Sequence, residues 1–176
     1  MLLDYLANPH KTSPHLTQLE INIDIQNRRA ILLSDSPDDT MVWTSLHDLA
    51  SIVTQAIGYE GEWPVNGGIT GNRISTAELI TLAEKIRGGK FNIEKVRAED
   101  LKKGVVTSSW VPMVRHPSVP REEVEGMSRM FLEGFLVGVA AGAYRVGDEW
   151  NRLLGGYKFL GVEEFLRGVW GEGGNE

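Results

Sequence analysis

The sequence contains no cysteine. That absence excludes disulfide scaffolding, thiolate-bound zinc, iron–sulfur ligation and thiol catalysis together. Basic residues are also scarce: 18 Lys and Arg stand against 24 Asp and Glu, a formal charge of -6 over 176 residues. Neutralising a nucleic-acid backbone takes clustered Lys and Arg, so this balance argues against direct nucleic-acid binding. Long apolar runs are missing too. The most apolar stretch, Phe135 to Tyr144, is bounded by Glu133 and Arg145, and is about half of the ~20 residues needed to cross a bilayer. It reads as a buried helix, with no membrane association. The opening Met1-Leu2-Leu3-Asp4 has no basic region of the secretory kind, so the expected compartment is the cytoplasm.

Self-contained catalytic motifs are lacking as well. His10, His15, His47 and His116 include no pair at helical i, i+4 spacing, and no H-E-x-x-H occurs, so no metal site is expected. There is no G-x-S-x-G nucleophile elbow, and Ser108-Ser109 has no base beside it. The segment Asn66-Gly67-Gly68-Ile69-Thr70-Gly71-Asn72 precedes a helix, as a phosphate loop would. It has neither G-x-G-x-x-G spacing after an apolar strand nor the Gly-Lys-Ser/Thr of a P-loop. A strand-to-helix turn with left-handed glycines is the reading preferred.

What is present is a chain of one-domain length with alternating strand and helix signals. Leu19, Ile21, Ile23 and Ile25 alternate with Glu20, Asn22 and Asp24, and Ala30 to Leu33 resumes the pattern after Gln26-Asn27-Arg28-Arg29. This predicts a β-hairpin, followed by a loop over Ser34 to Asp39. A short strand is predicted at Met41 to Thr44, then a helix from Ser45 to Ile57 with Asp48 as the acidic half of a capping box. Asn66 to Asn72 predicts a brief strand and turn, and Ser75 to Glu78 a second capping box that opens a helix to Gly88-Gly89. Lys90 to Val96 alternates like a strand. Ala98 to Lys103, Pro120 to Val139 and a segment opening at Val162 carry helix signals, with a frayed tail over 170–176. Gly134, Gly138 and Gly142 fall on one helix face, where close packing against a neighbouring element is expected.

Several segments, in order, resemble the C-terminal half of fungal NmrA-like proteins, an atypical branch of the short-chain dehydrogenase/reductases related to isoflavone reductases. These are Leu3-Asp4-Tyr5-Leu6-Ala7-Asn8-Pro9-His10, Ile23 to Ala30, Thr44-Ser45-Leu46-His47-Asp48-Leu49-Ala50, Gly71-Asn72-Arg73-Ile74-Ser75 with the helix after it, and Val162 to Leu166 with Trp170. The resemblance implies an α/β fold, the substrate-domain portion of an NAD(P)-binding Rossmann protein, with helices packed on short strands and an incomplete parallel sheet. It spans residues 1–176 as a single unit.

In full-length relatives a preceding Rossmann half carries the glycine-rich dinucleotide loop and, among reductases, a catalytic Lys. No position here matches either, so the resemblance assigns this chain no catalytic or cofactor-binding residue, and NAD(P) is expected only with the full-length relatives. By analogy with where such pockets lie, Tyr5, Pro9, His10 and Trp43 are the candidate substrate-pocket residues, with core packing as the equal alternative. The function implied is the substrate-domain half of an NAD(P)-dependent oxidoreductase or redox-sensing regulator, not catalytic alone. The alternative is a non-enzymatic interaction module. Helices whose sheet is supplied elsewhere should expose apolar faces, here on Ser45–Ile57 and Glu122–Tyr144, to a second copy or a full-length relative.

Overall fold

A computed structural model describes residues 1–34 and 39–171; the centre of the loop expected after the hairpin and most of the expected frayed tail lie outside them. The isoleucine alternation does make a hairpin. Ile21, Ile23 and Ile25 are all buried, and strand β1 (Ile23–Asp24) pairs antiparallel with β2 (Arg29–Leu33). Asn22 departs from the pattern: it is buried, and its amide donates to the Ile31 carbonyl at 2.9 Å. On its other side β2 pairs in parallel with β5 (Asn92–Val96), so the sheet order is β1-β2-β5. The expected parallel sheet is therefore a small mixed one.

A second, two-stranded sheet pairs β3 (Met41–Trp43) antiparallel with β4 (Asn72–Ile74). Leu2 adds a parallel bridge to Thr44, so the first residues run alongside β3. The strand expected over Asn66 to Asn72 begins only at its last residue. Gly67, Gly68 and Gly71 are not left-handed either. A Cβ on Gly67 would lie 2.8 Å from the Trp150 indole nitrogen, one on Gly71 would lie 2.7 Å from the Trp43 carbonyl, and one on Gly68 would collide with the Gly147 carbonyl. Close approach of other chain segments, rather than a positive φ, requires glycine there.

Helix α1 (Leu46–Ile57) is capped by Ser45, whose hydroxyl accepts from the Asp48 backbone at 3.0 Å. The reciprocal half of that box is not formed, because the Asp48 carboxylate is committed elsewhere. Helix α2 (Thr76–Arg87) has the complete Ser75–Glu78 box. Short α3 (Ala98–Leu101) leads to a long irregular stretch and a 3-10 turn at Arg121–Glu123, from which α4 (Val124–Ala140) continues. Helices α5 (Glu149–Leu153) and α6 (Val162–Trp170) complete the chain, and Leu3–Ala7 forms a further 3-10 turn.

The main core joins both sheets to α2, α4 and α6 through Leu3, Leu6, Ile31, Trp43, Leu79, Leu132, Leu136 and Leu166. A smaller cluster sets Ile52 and Ala56 of α1 against Trp150. The apolar face of α4 is thus covered by the chain itself: Leu132, Phe135, Leu136 and Val139 are buried, and Met130 is its exposed large hydrophobic residue. This corrects the expectation of an open face on that helix. Helix α1 does leave Val53 and Ile57 exposed, at 46% and 74%. Of the glycine stripe, Gly138 packs closely against the Tyr144 ring as expected, whereas Gly134 faces open space and Gly142, at a positive φ, lies past the end of α4. Among the described residues, no helix is long and apolar enough to cross a membrane.

Candidate functional site

Three irregular segments converge beside β1: Asn8-Pro9 after the first 3-10 turn, the hairpin turn, and the run Val111 to Arg115. They line an open cleft of roughly 520 Å³. The same alternation that buries the isoleucines puts Glu20 and Asp24 on the opposite face, where both border this cleft. Asp24 accepts from Arg29 Nε at 2.8 Å and also receives the Asn27 backbone N–H at 3.0 Å and side-chain amide at 2.8 Å. Glu20 receives the Met113 N–H at 3.0 Å and pairs closely with the Arg115 guanidinium. The Arg29 guanidinium also lies 4.1 Å from the centre of the Trp110 ring, a cation–π arrangement.

The cleft walls therefore carry two ion pairs, the Asn8, Gln26 and Asn27 amides, and apolar surface from Pro9, Val111 and Met113. Such a surface suits recognition of a polar organic molecule by hydrogen bonding. Among the described residues no histidine, lysine, serine or tyrosine lines it, and its two carboxylates are held in ion pairs with Arg29 and Arg115.

Pro9 lines this cleft, and Tyr5 lines a narrow space next to it that shares Asn8, Glu20 and Asp24. Burial, helped by the neighbouring Asp4 carboxylate, pushes the Tyr5 phenol above its ordinary value, so it stays a hydrogen-bond donor at neutral pH. The other two candidates sit apart. His10 turns toward α6 and meets Trp170 edge-on, with ring centres 4.9 Å apart. Trp43 is fully buried in the core. Glu20, Asp24, Arg29 and Arg115 are the residues that sequence reasoning passed over. The polar side of the strand alternation marked the first two, but nothing local marked Arg115, which is 95 residues from its partner.

The segments with family resemblance also hold two buried or half-buried polar residues whose work is structural. Asp48 accepts from the Tyr157 hydroxyl at 2.8 Å and from the Leu160 N–H at 3.0 Å. Asn72 donates to the Leu160 carbonyl at 2.9 Å and the Trp43 carbonyl at 3.3 Å, and accepts from the Val162 N–H at 3.0 Å. Both side chains are directed at the 157–162 segment and not at the cleft.

The glycine-rich turn ahead of α2 does not fit a dinucleotide. The one glycine-rich turn ahead of a helix is filled by its own neighbours: the Gly68 N–H donates to Glu149 at 3.0 Å, and Thr70 exchanges two hydrogen bonds with the Asn151 amide. No backbone cradle is left there for a pyrophosphate. Among the described residues, no group of three or more His, Asp or Glu is placed to hold a metal ion.

Comparison with known proteins gives a distant likeness to an oxidoreductase. The oxidoreductase swnN of Metarhizium robertsii (strain ARSEF 23 / ATCC MYA-3075) is 27% identical over 109 residues, which is 61% of this chain and 32% of that protein. The chain thus spans about a third of the length of the curated relative it matches. No protein-family model matches the chain, and no solved structure matches it.

Proposed function

We propose that this chain is the substrate-side, C-terminal portion of an NmrA-like protein, an NAD(P)-dependent oxidoreductase or redox-sensing regulator, and that it does not transfer hydride by itself. The observation that carries the reading is the similarity to an oxidoreductase of which this chain covers only 32%. It is supported by the glycine-rich turn at 66–72, which is packed shut and cannot serve a dinucleotide. In this reading the cofactor belongs to a preceding Rossmann half. Pro9, Asn8 and Asp24 form the wall on which substrate rests, with Tyr5 next to them as a fixed donor.

A fluorescence titration with NADPH tests the claim about the cofactor. The chain alone should give no saturable signal, and micromolar binding would sink the proposal. Denaturing separation of the native polypeptide, detected with an antibody to this region, tests the claim about the missing half. A species far above 19.5 kDa supports it; one at that mass argues against it.

One observation favours a second reading, that of a protein-interaction module. Val53 and Ile57 lie one turn apart on α1 and are exposed, as are Trp63 and Val65 in the following loop. A second copy or a full-length relative would cover them. A monomer that resists concentration in sedimentation, and fails to bind a full-length relative, would eliminate this reading.

A further inference from the structure

Beyond the cleft at Pro9, Met113 and Arg115 also border an open groove of roughly 700 Å³ between the 113–121 segment and the start of α4. That volume falls in the range of small-molecule sites. Its floor is apolar, formed by half-buried Met113, Val119 and Val124. Four charged or titratable residues rim it, and their commitments differ. Arg115 is engaged by Glu20, and Glu125 accepts from Arg129 at 3.1 Å. Arg121 makes no ion pair among the described residues. The Nδ1 side of His116 is occupied by Ser118, whose hydroxyl lies at 2.6 Å and whose N–H lies at 3.2 Å, so Nε2 is the ring nitrogen left to a ligand.

With the paired charges set aside, the groove offers an unpaired guanidinium and an imidazole edge over an apolar floor, in a chain whose net charge is -6. We propose that it binds an organic monoanion with an apolar body, an apolar carboxylate. The carboxylate would take the planar fork of Arg121 beside the His116 ring, with its hydrocarbon on Met113, Val119 and Val124. One unpaired guanidinium matches a single negative charge better than a dianionic phosphate. Glu122 and Glu123 neighbour Arg121 in sequence but do not line the groove. The inference does not depend on the chain belonging to an NAD(P)-linked enzyme, because it is argued from the residues that line the groove.

Calorimetric titration of the purified chain with decanoate, decanol and decyltrimethylammonium tests it. Decanoate should bind saturably in the micromolar range, decanol about tenfold more weakly, and the cation not at all. Arg121→Glu changes an exposed side chain, and its fold can be checked by circular dichroism; it should weaken decanoate about tenfold and leave decanol nearly unchanged. Ile57→Ser, on the exposed stripe of α1, should leave decanoate binding as it was. Equal affinity for decanoate and decanol, an unaltered Arg121→Glu variant, or no saturable decanoate binding would each overturn the proposal. None of these results bears on the NADPH titration, so the two readings fail separately.

Discussion

Asp48 shows how one buried carboxylate can serve the fold without catalysing anything. At the third position of α1 its charge faces the positive end of the helix dipole, while its two oxygens hold Tyr157 and Leu160 from a segment more than a hundred residues on. Asp48→Leu would leave a hydroxyl and a backbone N–H without acceptors, at a cost of about 2–4 kcal/mol in urea unfolding. Tyr157→Phe removes the donor to this carboxylate together with a contact to Ser51 and should cost about 1.5–3 kcal/mol. The phenol adds a pH signature. Burial, together with the Asp48 carboxylate beside it, raises Tyr157 above the ordinary 10.0, and burial raises Tyr144 as well. A raised acid is protonated more readily folded than unfolded. Its contribution is therefore complete below pH 10.0 and is lost as pH rises through the folded value. Unfolding midpoints should fall on the alkaline side, less steeply in Tyr157→Phe than in the parent chain; equal slopes would remove Tyr157 as a cause.

Helix α2 carries the acid counterpart at the scale of an element. Hydrogen bonds from the Ser75 hydroxyl and N–H hold Glu78 below the ordinary glutamate value, Lys90 and the Phe91 N–H do the same for Glu84, and Arg167 for Glu163. Depressed carboxyls stabilise above their unfolded value and lose that contribution as pH falls through the folded one. Thermal midpoints should decline below pH 4.5, and Glu78→Gln should make the decline shallower; an unchanged slope would mean the box does not couple to unfolding. This capping box was legible in the sequence, as were α1, α2, α4, α6 and the hairpin, because each spans enough residues to show a period or a stop signal. Helix α5 and the first 3-10 turn, each of five residues, are too short to show one. The parallel pairing of β2 with β5 was not legible for another reason: strand partners are chosen by the packing of the intervening chain, not by either strand. The site divides the same way. Glu20 and Asp24 follow from the alternation that buries Ile21, Ile23 and Ile25, whereas Arg115 reaches Glu20 only after the chain has folded.

At the scale of the whole molecule, the residues of the resembling segments act on one another. Asp48 takes the N–H of Leu160 and Asn72 takes its carbonyl, so both backbone groups of one residue are fixed by side chains from α1 and β4. Asn72 also receives the Val162 N–H as α6 begins. From there α6 reaches back to the first turn, where the Trp170 indole donates to the Leu6 carbonyl at 3.0 Å and its ring meets His10. The chain from Leu6 to Pro9 lies between this helix and the cleft, so α6 supports the cleft wall from behind. Asn72→Ala deletes three hydrogen bonds at this junction and should cost about 2–3 kcal/mol. The loss should be uneven, because the β1-β2-β5 sheet keeps all its own pairings. Hydrogen exchange should speed up across 157–170 and at Leu6 to His10 before it does in β2 and β5. A uniform loss of protection over the whole chain would mean that α6 unfolds only with the core and does not act as a separable brace for the cleft.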